Sequence, residues 1–269
     1  MGVRINTNIP ALNAQRQTEQ SSNRLIQGLG NLATGLRINR AAQDAAGLAL
    51  AERLRTEILQ SNQEIGNLQA GINVVQTAEG GLEAQQEGAQ RLRELAVQAA
   101  NGTLTEDQRA AVNAEAQQIL QQIGEVADNT EFNGTQLLNG TAGTIPLGTE
   151  AGEQVNINAS TPEALGLNGL NLSTTESAGN AIEAIDTALN RISQNRAALG
   201  AQEERFTRGI EQRQTAIESQ EEARSRVRDL DEARQAIEQT RNQVLQRTGI
   251  AALIQANVTP QAAARLLGS

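Results

Sequence analysis

Apolar residues recur every seven positions in this chain, and that spacing restricts its fold more than any other feature. Ile58, Ile65 and Ile72 form one row, and Leu68, Val75 and Leu82 form its companion. Two such rows make the seam of a helix that lies along another helix. The pattern returns at Ile182, Ile185, Leu189, Ile192, Leu199, Phe206, Ile210 and Ile217, with Arg196, Glu203 and Arg213 in intervening seam slots. Aromatic rings, which supply much of the buried area of compact cores, are 1% of the chain, namely Phe132 and Phe206. Ala, Leu, Ile and Val in their place suit thin, elongated helical packing.

Composition closes several functional routes. With no Cys and no His, the chain has no thiol nucleophile, no thiolate or imidazole metal site and no Ser-His-Asp arrangement. Its 22 basic residues, all Arg, face 31 acids for a net charge of −9. That balance argues against binding nucleic acid by neutralising phosphates. No apolar run approaches the roughly 20 residues of a membrane span. The start, "MGVRINTNIPALNAQRQ", has no continuous apolar region of the kind a cleavable secretory signal needs. The expectation is a protein that stays inside the cell or leaves by a route that reads no such signal.

Along the chain, Ile5, Ile9, Leu12, Leu25, Ile26, Leu29 and Leu32 suit one helical stripe with Pro10 in its first turn. A small-residue corner, "TGLRINRAAQDAAGLALAERLR" at 34–55, follows. The heptad helix strengthens from Leu54 and is expected to end near Ala100. "NGT" at 101–103 is a turn, and Thr105 offers an N-cap to a further amphipathic helix. The Gly-, Asn- and Thr-rich middle, with "TIPLG" and "QVNIN" flanking a Gly-containing loop, predicts a small β-hairpin within about 130–172. Helix returns at about Asn180. A last segment, 224–269, carries Ile237, Val244, Leu245, Ile250, Leu253 and Ile254, and Thr259-Pro260 predicts a restart into a short final helix. The fold class is mainly α: a long antiparallel coiled bundle of N- and C-terminal halves with a small central hairpin. Each terminal stripe lacks a local partner, so the ends must pair with each other or with other copies.

The remaining motifs read blandly. "GLGNLATG" at 28–35 lacks the spacing and the Lys of a phosphate loop. Glu203-Glu204, Glu221-Glu222 and Asp229/Asp231/Glu232 have no calcium-loop spacing and sit among Arg as solvated helix faces. The Asn-x-Ser/Thr triplets at Asn101, Asn133, Asn139, Asn158 and Asn171 fit turn chemistry. No catalytic, cofactor or metal residues are assigned.

Several stretches together closely resemble bacterial flagellin. They are "RINTNIPALNAQ", "LATGLRINRAAQDAAGLALAERLR", "QRLRELAVQAANGT", "FNGTQLL", "IDTALNRISQNRAALGAQEERF" and "VLQRTGIAALIQANVTPQAAARLL", all in family order. The resemblance implies a minimal form whose halves are joined directly, without the variable outer domain. It implies an N-terminal inner-tube helix and start of the spoke over 1–43, the bundle with its hairpin over 44–179 and its C-terminal helix over 180–223, and a C-terminal inner-tube helix over 224–269. The family's enzymatic members carry a metallopeptidase insert that is missing here, so no enzyme is expected and no cofactor.

The same resemblance assigns roles. Ile5, Ile9, Leu12, Leu25, Leu29, Leu32, Ile237, Val244, Leu245, Ile250, Leu253, Ile254, Leu266 and Leu267 are expected to be assembly residues. In the spoke, small residues such as Ala46 and Gly47 let neighbouring subunits approach, and Arg37, Asn39, Arg40 and Asp44 fix their register. Arg91, Leu95 and Glu115 match the surface read by the vertebrate Toll-like flagellin receptor, although a basic position of receptor-activating members is Ile119 here. Implied partners are further copies in a helical homopolymer, flagellar junction and cap proteins, an export chaperone and a host's innate immune receptor; neither nucleic acid nor membrane is among them. Residues 1 to about 40 and 226–269 are expected to be disordered in the monomer, after export as an unfolded chain to the cell exterior. The rival readings are a hook–filament junction protein, a cytoplasmic coiled-coil scaffold and, last, a carboxylate-based enzyme.

Overall fold

The computed structural model describes residues 7–148 and 153–267. Its helices are α1 (Ile9–Thr34), α2 (Ala45–Ala99), α3 (Glu106–Asn129), α4 (Pro162–Leu165), α5 (Thr175–Arg228) and α6 (Glu232–Leu267). Four short strands, β1 (Glu131–Phe132), β2 (Thr135–Gln136), β3 (Thr144–Pro146) and β4 (Gln154–Asn156), fall between α3 and α4. The chain is mainly α, as its heptads predict. It divides into two compact units, one of residues 1–58 with 218–269 and one of Leu59–Ile217.

In the 59–217 unit, α2 and α5 run antiparallel. Polar bridges mark their register: Arg213 Nε donates to Glu64 at 2.8 Å, Gln76 to Glu203 at 2.8 Å, and Arg93 to Asp186 at 2.6 Å. The predicted rows are where the burial is, with Leu68, Val75 and Leu82 meeting Ile185, Ile192, Leu199 and Phe206 in one core. Helix α3 adds Val112, Ala116, Leu120 and Ile123 to that core. It starts where Thr105 predicts, in a capping box: the Thr105 side chain accepts from Gln108 N, and the Gln108 side chain accepts from Thr105 N. At the other end of the connection, Arg109 Nε donates 3.0 Å to Ala99 O, putting a cation on the C-terminal carbonyls of α2, where the helix dipole favours it.

The middle forms two antiparallel pairs where one hairpin is expected. β1 and β2 close through a two-residue turn of Asn133 (φ 49°) and Gly134 (φ 78°), and β3 pairs with β4 through Ile145 opposite Val155. These short pairs gain their burial from the bundle. Leu137, Leu138 and Val155 are fully buried. Gln85 Nε2 donates to Ser160 O at 2.9 Å and to Ile123 O at 3.1 Å, while Ser160 Oγ donates to Gln85 Oε1 at 2.6 Å. That buried amide ties α2, α3 and the irregular segment into one body.

In the other unit, α1 and α6 pack along each other. α1 ends at Gly35, whose left-handed φ of 68° suits a residue without Cβ. Leu36 bridges Asp229, Arg37 N donates to Arg228 O at 2.7 Å, and Leu230 N donates to Gly35 O at 3.0 Å. Two boundaries differ from the sequence expectation: α5 begins at Thr175 and not near Asn180, and α6 continues through Pro260 without a restart, while α2 begins at Ala45, ahead of the stretch where its heptads strengthen.

Candidate assembly surfaces

The apolar residues of α1 and α6 face the wrong way for a free-standing pair. The less exposed positions of α1 (Ala11, Ala14, Thr18, Ser21, Leu25, Gly28 and Leu32) repeat at alternating three- and four-residue steps. Their counterparts on α6 are Gln235, Gln239, Asn242, Leu245, Gly249 and Leu253. This seam is made mostly of small and amide side chains. The approach is close: a Cβ on Gly28 would lie 2.6 Å from Gln235 Nε2, and one on Gly249 would lie 2.5 Å from Thr18 Oγ1. At the open end, Asn8 Nδ2 donates to Ala256 O at 2.9 Å.

The large apolar side chains lie elsewhere. Ile9, Leu12, Ile26 and Leu29 on α1, and Ile237, Val244, Ile250, Ile254 and Val258 on α6, are exposed, Ile26 at 67% and Ile237 at 70%. Of the expected assembly residues, Leu25, Leu32, Leu245 and Leu253 are half-buried in the seam. Ile5 and the side chains of Leu266 and Leu267 lie outside the described residues. The sequence reading followed the large residues and missed the seam, although the three-four spacing of small residues on α1 was there to be read.

The spoke residues make several contacts within their own chain. Arg37 Nη2 donates to Val227 O at 2.5 Å, and its backbone holds the bridge to Arg228. Asp44 caps α2, its Oδ1 accepting from Gly47 N at 2.8 Å. A short acceptor just before a helix satisfies one of its orphan N–H groups, so this carboxylate is already engaged within the subunit. Gly47 is required by its surroundings: a Cβ there would meet Asp44 Oδ2 at 2.5 Å and Ile38 Cδ1 at 2.8 Å. Asn39 donates to Thr34 Oγ1 at 2.6 Å, and Gln43 accepts from the N–H groups of Asn39 and Arg40. Only Arg40 and Ala46 keep exposed side chains without an assigned contact. Arg40 borders an open groove of about 540 Å³ lined mainly by amides, with Ile26 at its edge.

The three expected receptor residues separate. Arg91 bridges Glu94 at 2.8 Å and Glu115 at 2.9 Å on the surface. The hydrogen bonds of Glu94, then of Glu115, hold its guanidinium above the usual arginine range. Leu95 is 1% exposed and belongs to the core. Ile119, half-buried, packs against that core as well. Among the described residues, no three acids come together as a metal site, and no helix is long and apolar enough to cross a membrane.

Comparison with known proteins bears directly on these surfaces. The bacterial flagellin N-terminal helical region matches residues 5–143, and the bacterial flagellin C-terminal helical region matches residues 182–267. A flagellin of Halalkalibacterium halodurans is 39% identical over 98% of this chain and 99% of its own length. A flagellin of Treponema pallidum is 36% identical over the same shares. Among solved structures, a flagellar hook-associated protein of Vibrio parahaemolyticus shares the fold at a TM-score of 0.54, with 17% identity, over 69% of this chain and 99% of that one.

Proposed function

This chain belongs to the bacterial flagellin family, and from that premise we propose how its two ends build a filament. As a family member it is a structural subunit of the flagellar filament and not an enzyme. Subunits of this kind join into the extracellular helical polymer that serves motility. Residues 144–181 link the two matched regions directly, which fits the short form without an outer domain.

The proposed driving surface is the exposed apolar set on α1 and α6. The observation that supports it is the inverted seam: small and amide residues meet inside the pair, and nine large apolar side chains stay in water. Burying side chains of this size contributes on the order of 10 kcal/mol per subunit, in addition to the backbone pairing of the ends. Arg40 and Ala46 are the proposed spoke contacts to neighbouring copies. Junction and cap proteins would meet the same ends, and an export chaperone would cover them beforehand. The hook–filament junction reading is not favoured, because the Vibrio likeness concerns the fold alone.

Ile237→Asp tests this reading. Ile237 is exposed, so the substitution leaves the folded monomer intact, as circular dichroism should show. Negative-stain microscopy in a kosmotropic salt, which strengthens apolar burial, should find filaments of the parent chain and none of the variant. Parent-like filaments from Ile237→Asp would sink the proposal.

Two finer roles rest on family resemblance. Export as an unfolded chain is compatible with the complete absence of cysteine, since no disulfide can lock the chain. Receptor recognition is proposed to read the Arg91–Glu115 pair, with Leu95 contributing only by holding α2 in place. Arg91→Ala should then weaken activation of receptor-bearing reporter cells without altering the monomer's melting; unchanged activation would remove Arg91 from that role.

A further inference from the structure

We infer that Asn168–Gly169 is where the folded chain spontaneously converts an asparagine into aspartate or isoaspartate. Four Asn-Gly pairs occur, at 101–102, 133–134, 139–140 and 168–169. In such a pair the glycine amide nitrogen attacks the asparagine Cγ. The C–N bond to the carboxamide nitrogen breaks, ammonia leaves, and a five-membered succinimide closes. Water then opens the ring at either carbonyl, leaving aspartate or its isomer with an extra backbone methylene. A following glycine favours the attack because it has no Cβ to obstruct its nitrogen and turns freely.

The fold restrains three of the four pairs. The Asn101 carboxamide oxygen accepts from Thr103 N at 3.1 Å and from Thr103 Oγ1 at 3.0 Å. Asn139 is held more firmly, accepting from Thr141 N at 3.0 Å and Thr141 Oγ1 at 2.6 Å while donating to Gln136 Oε1 at 2.5 Å. In both, the carboxamide is tied toward the residue two places on and not toward the adjacent glycine. Asn133 sits left-handed in the two-residue turn that closes β1 onto β2, so rotating its peptide would break that pair.

Asn168 has none of these restraints. Among the described residues, its side chain and the Gly169 N–H both lack a hydrogen-bond partner, and both residues are exposed. Gly169 has φ 75°, with nothing within 4 Å of where a Cβ would sit. A single 3.3 Å bond, from Leu170 N to Leu167 O, spans the turn. The pair also borders an open groove of about 270 Å³, which admits the water the second step needs. Ser177, in the first turn of α5, lines the same groove, and the helix dipole there favours an anion.

Peptide mapping by mass spectrometry tests the inference, with the full chain held in mildly alkaline buffer and, in parallel, in concentrated urea. In buffer, conversion at Asn168 should lead each of the other three by at least about fivefold, the factor set by one hydrogen bond held or free. In urea the four rates should converge, and Asn168→Gln should abolish the leading signal. The inference is overturned if another pair leads in buffer, if Asn168 fails to convert there, or if the ranking in urea is the same as in buffer.

Discussion

Gly80 and Gly81, neighbours on α2, should respond oppositely to the same substitution. A Cβ on Gly80 meets nothing within 4 Å, whereas one on Gly81 would lie 2.5 Å from Thr130 Oγ1 and 2.7 Å from Leu138 Cδ1. Gly80→Ala therefore takes only the helix-propensity gain, about 0.5–1 kcal/mol of added stability. Gly81→Ala takes the same gain against an overpacking cost of about 1–3 kcal/mol, and so should destabilise. Urea unfolding of the two variants checks the sign of each. A second residue-scale prediction concerns Glu64. Burial alone would raise its pKa, but hydrogen bonds from Arg213 and Gln60, together with the Arg213 charge, bring it below the ordinary carboxylate value. Arg213 also pairs with Glu153 across the β4 side. A carboxylate with a depressed folded pKa contributes stability above its unfolded pKa and loses it as pH falls through the folded one. Arg213→Gln should thus cost about 1–3 kcal/mol at neutral pH and flatten the acid limb of the stability profile. Equal acid slopes in parent and variant would show that the pair is not linked to folding.

Among the elements, α3 is the cleanest case of local sequence deciding a boundary. Thr105→Ala removes one half of the capping box and should cost about 1 kcal/mol, read as a lower urea midpoint with an unchanged slope. A loss within error would mean that the helix start is fixed by packing alone. The long helices were legible because α2 and α5 keep their apolar rows in strict register. Their starts were less so, because the caps precede the apolar rows. Asp44 caps α2 ten residues before Leu54. Thr174 and Ser177 bond reciprocally ahead of α5, with Ser177 N donating to Thr174 Oγ1 at 3.0 Å and Thr174 N to Ser177 Oγ at 3.1 Å. Ser177 stands where a capping box usually has Glu or Gln, so the signal was easy to pass over. The two strand pairs could not be separated from a single hairpin by pattern, because strands of two or three residues are too short for alternation to show. The burial of Leu95 is legible in the spacing of Leu92, Leu95, Ala96 and Ala99, which trace one helical face. The spoke was legible as a corner of small residues, but not the inward commitment of Arg37, which depends on where residues 227–228 return.

At the scale of the whole molecule, burial is distributed unequally. The 59–217 unit holds a continuous core from Leu68 through Phe206. The other unit buries few large apolar side chains, Ile38 and Ile58 among them, and its α1–α6 seam is small and polar. Local opening follows the density of buried apolar contacts, and an isolated helix pair without a strong seam is marginal in water. Amides of α1 and α6 in the monomer should therefore exchange with deuterium near the rate of unstructured chain, while those of α3 and of the part of α2 between Leu68 and Ala99 stay protected until global unfolding. On polymerisation the protection should rise sharply in α1 and α6, because neighbouring copies then cover Ile26, Ile237 and their companions, and should change little in the bundle core. Hydrogen exchange followed by mass spectrometry on monomer and filament reads both states. If α1 and α6 in the monomer were as protected as Leu92, the small-residue seam would have to be a stable interface in its own right. The exposed apolar rows would then lose their claim to be what orders the ends.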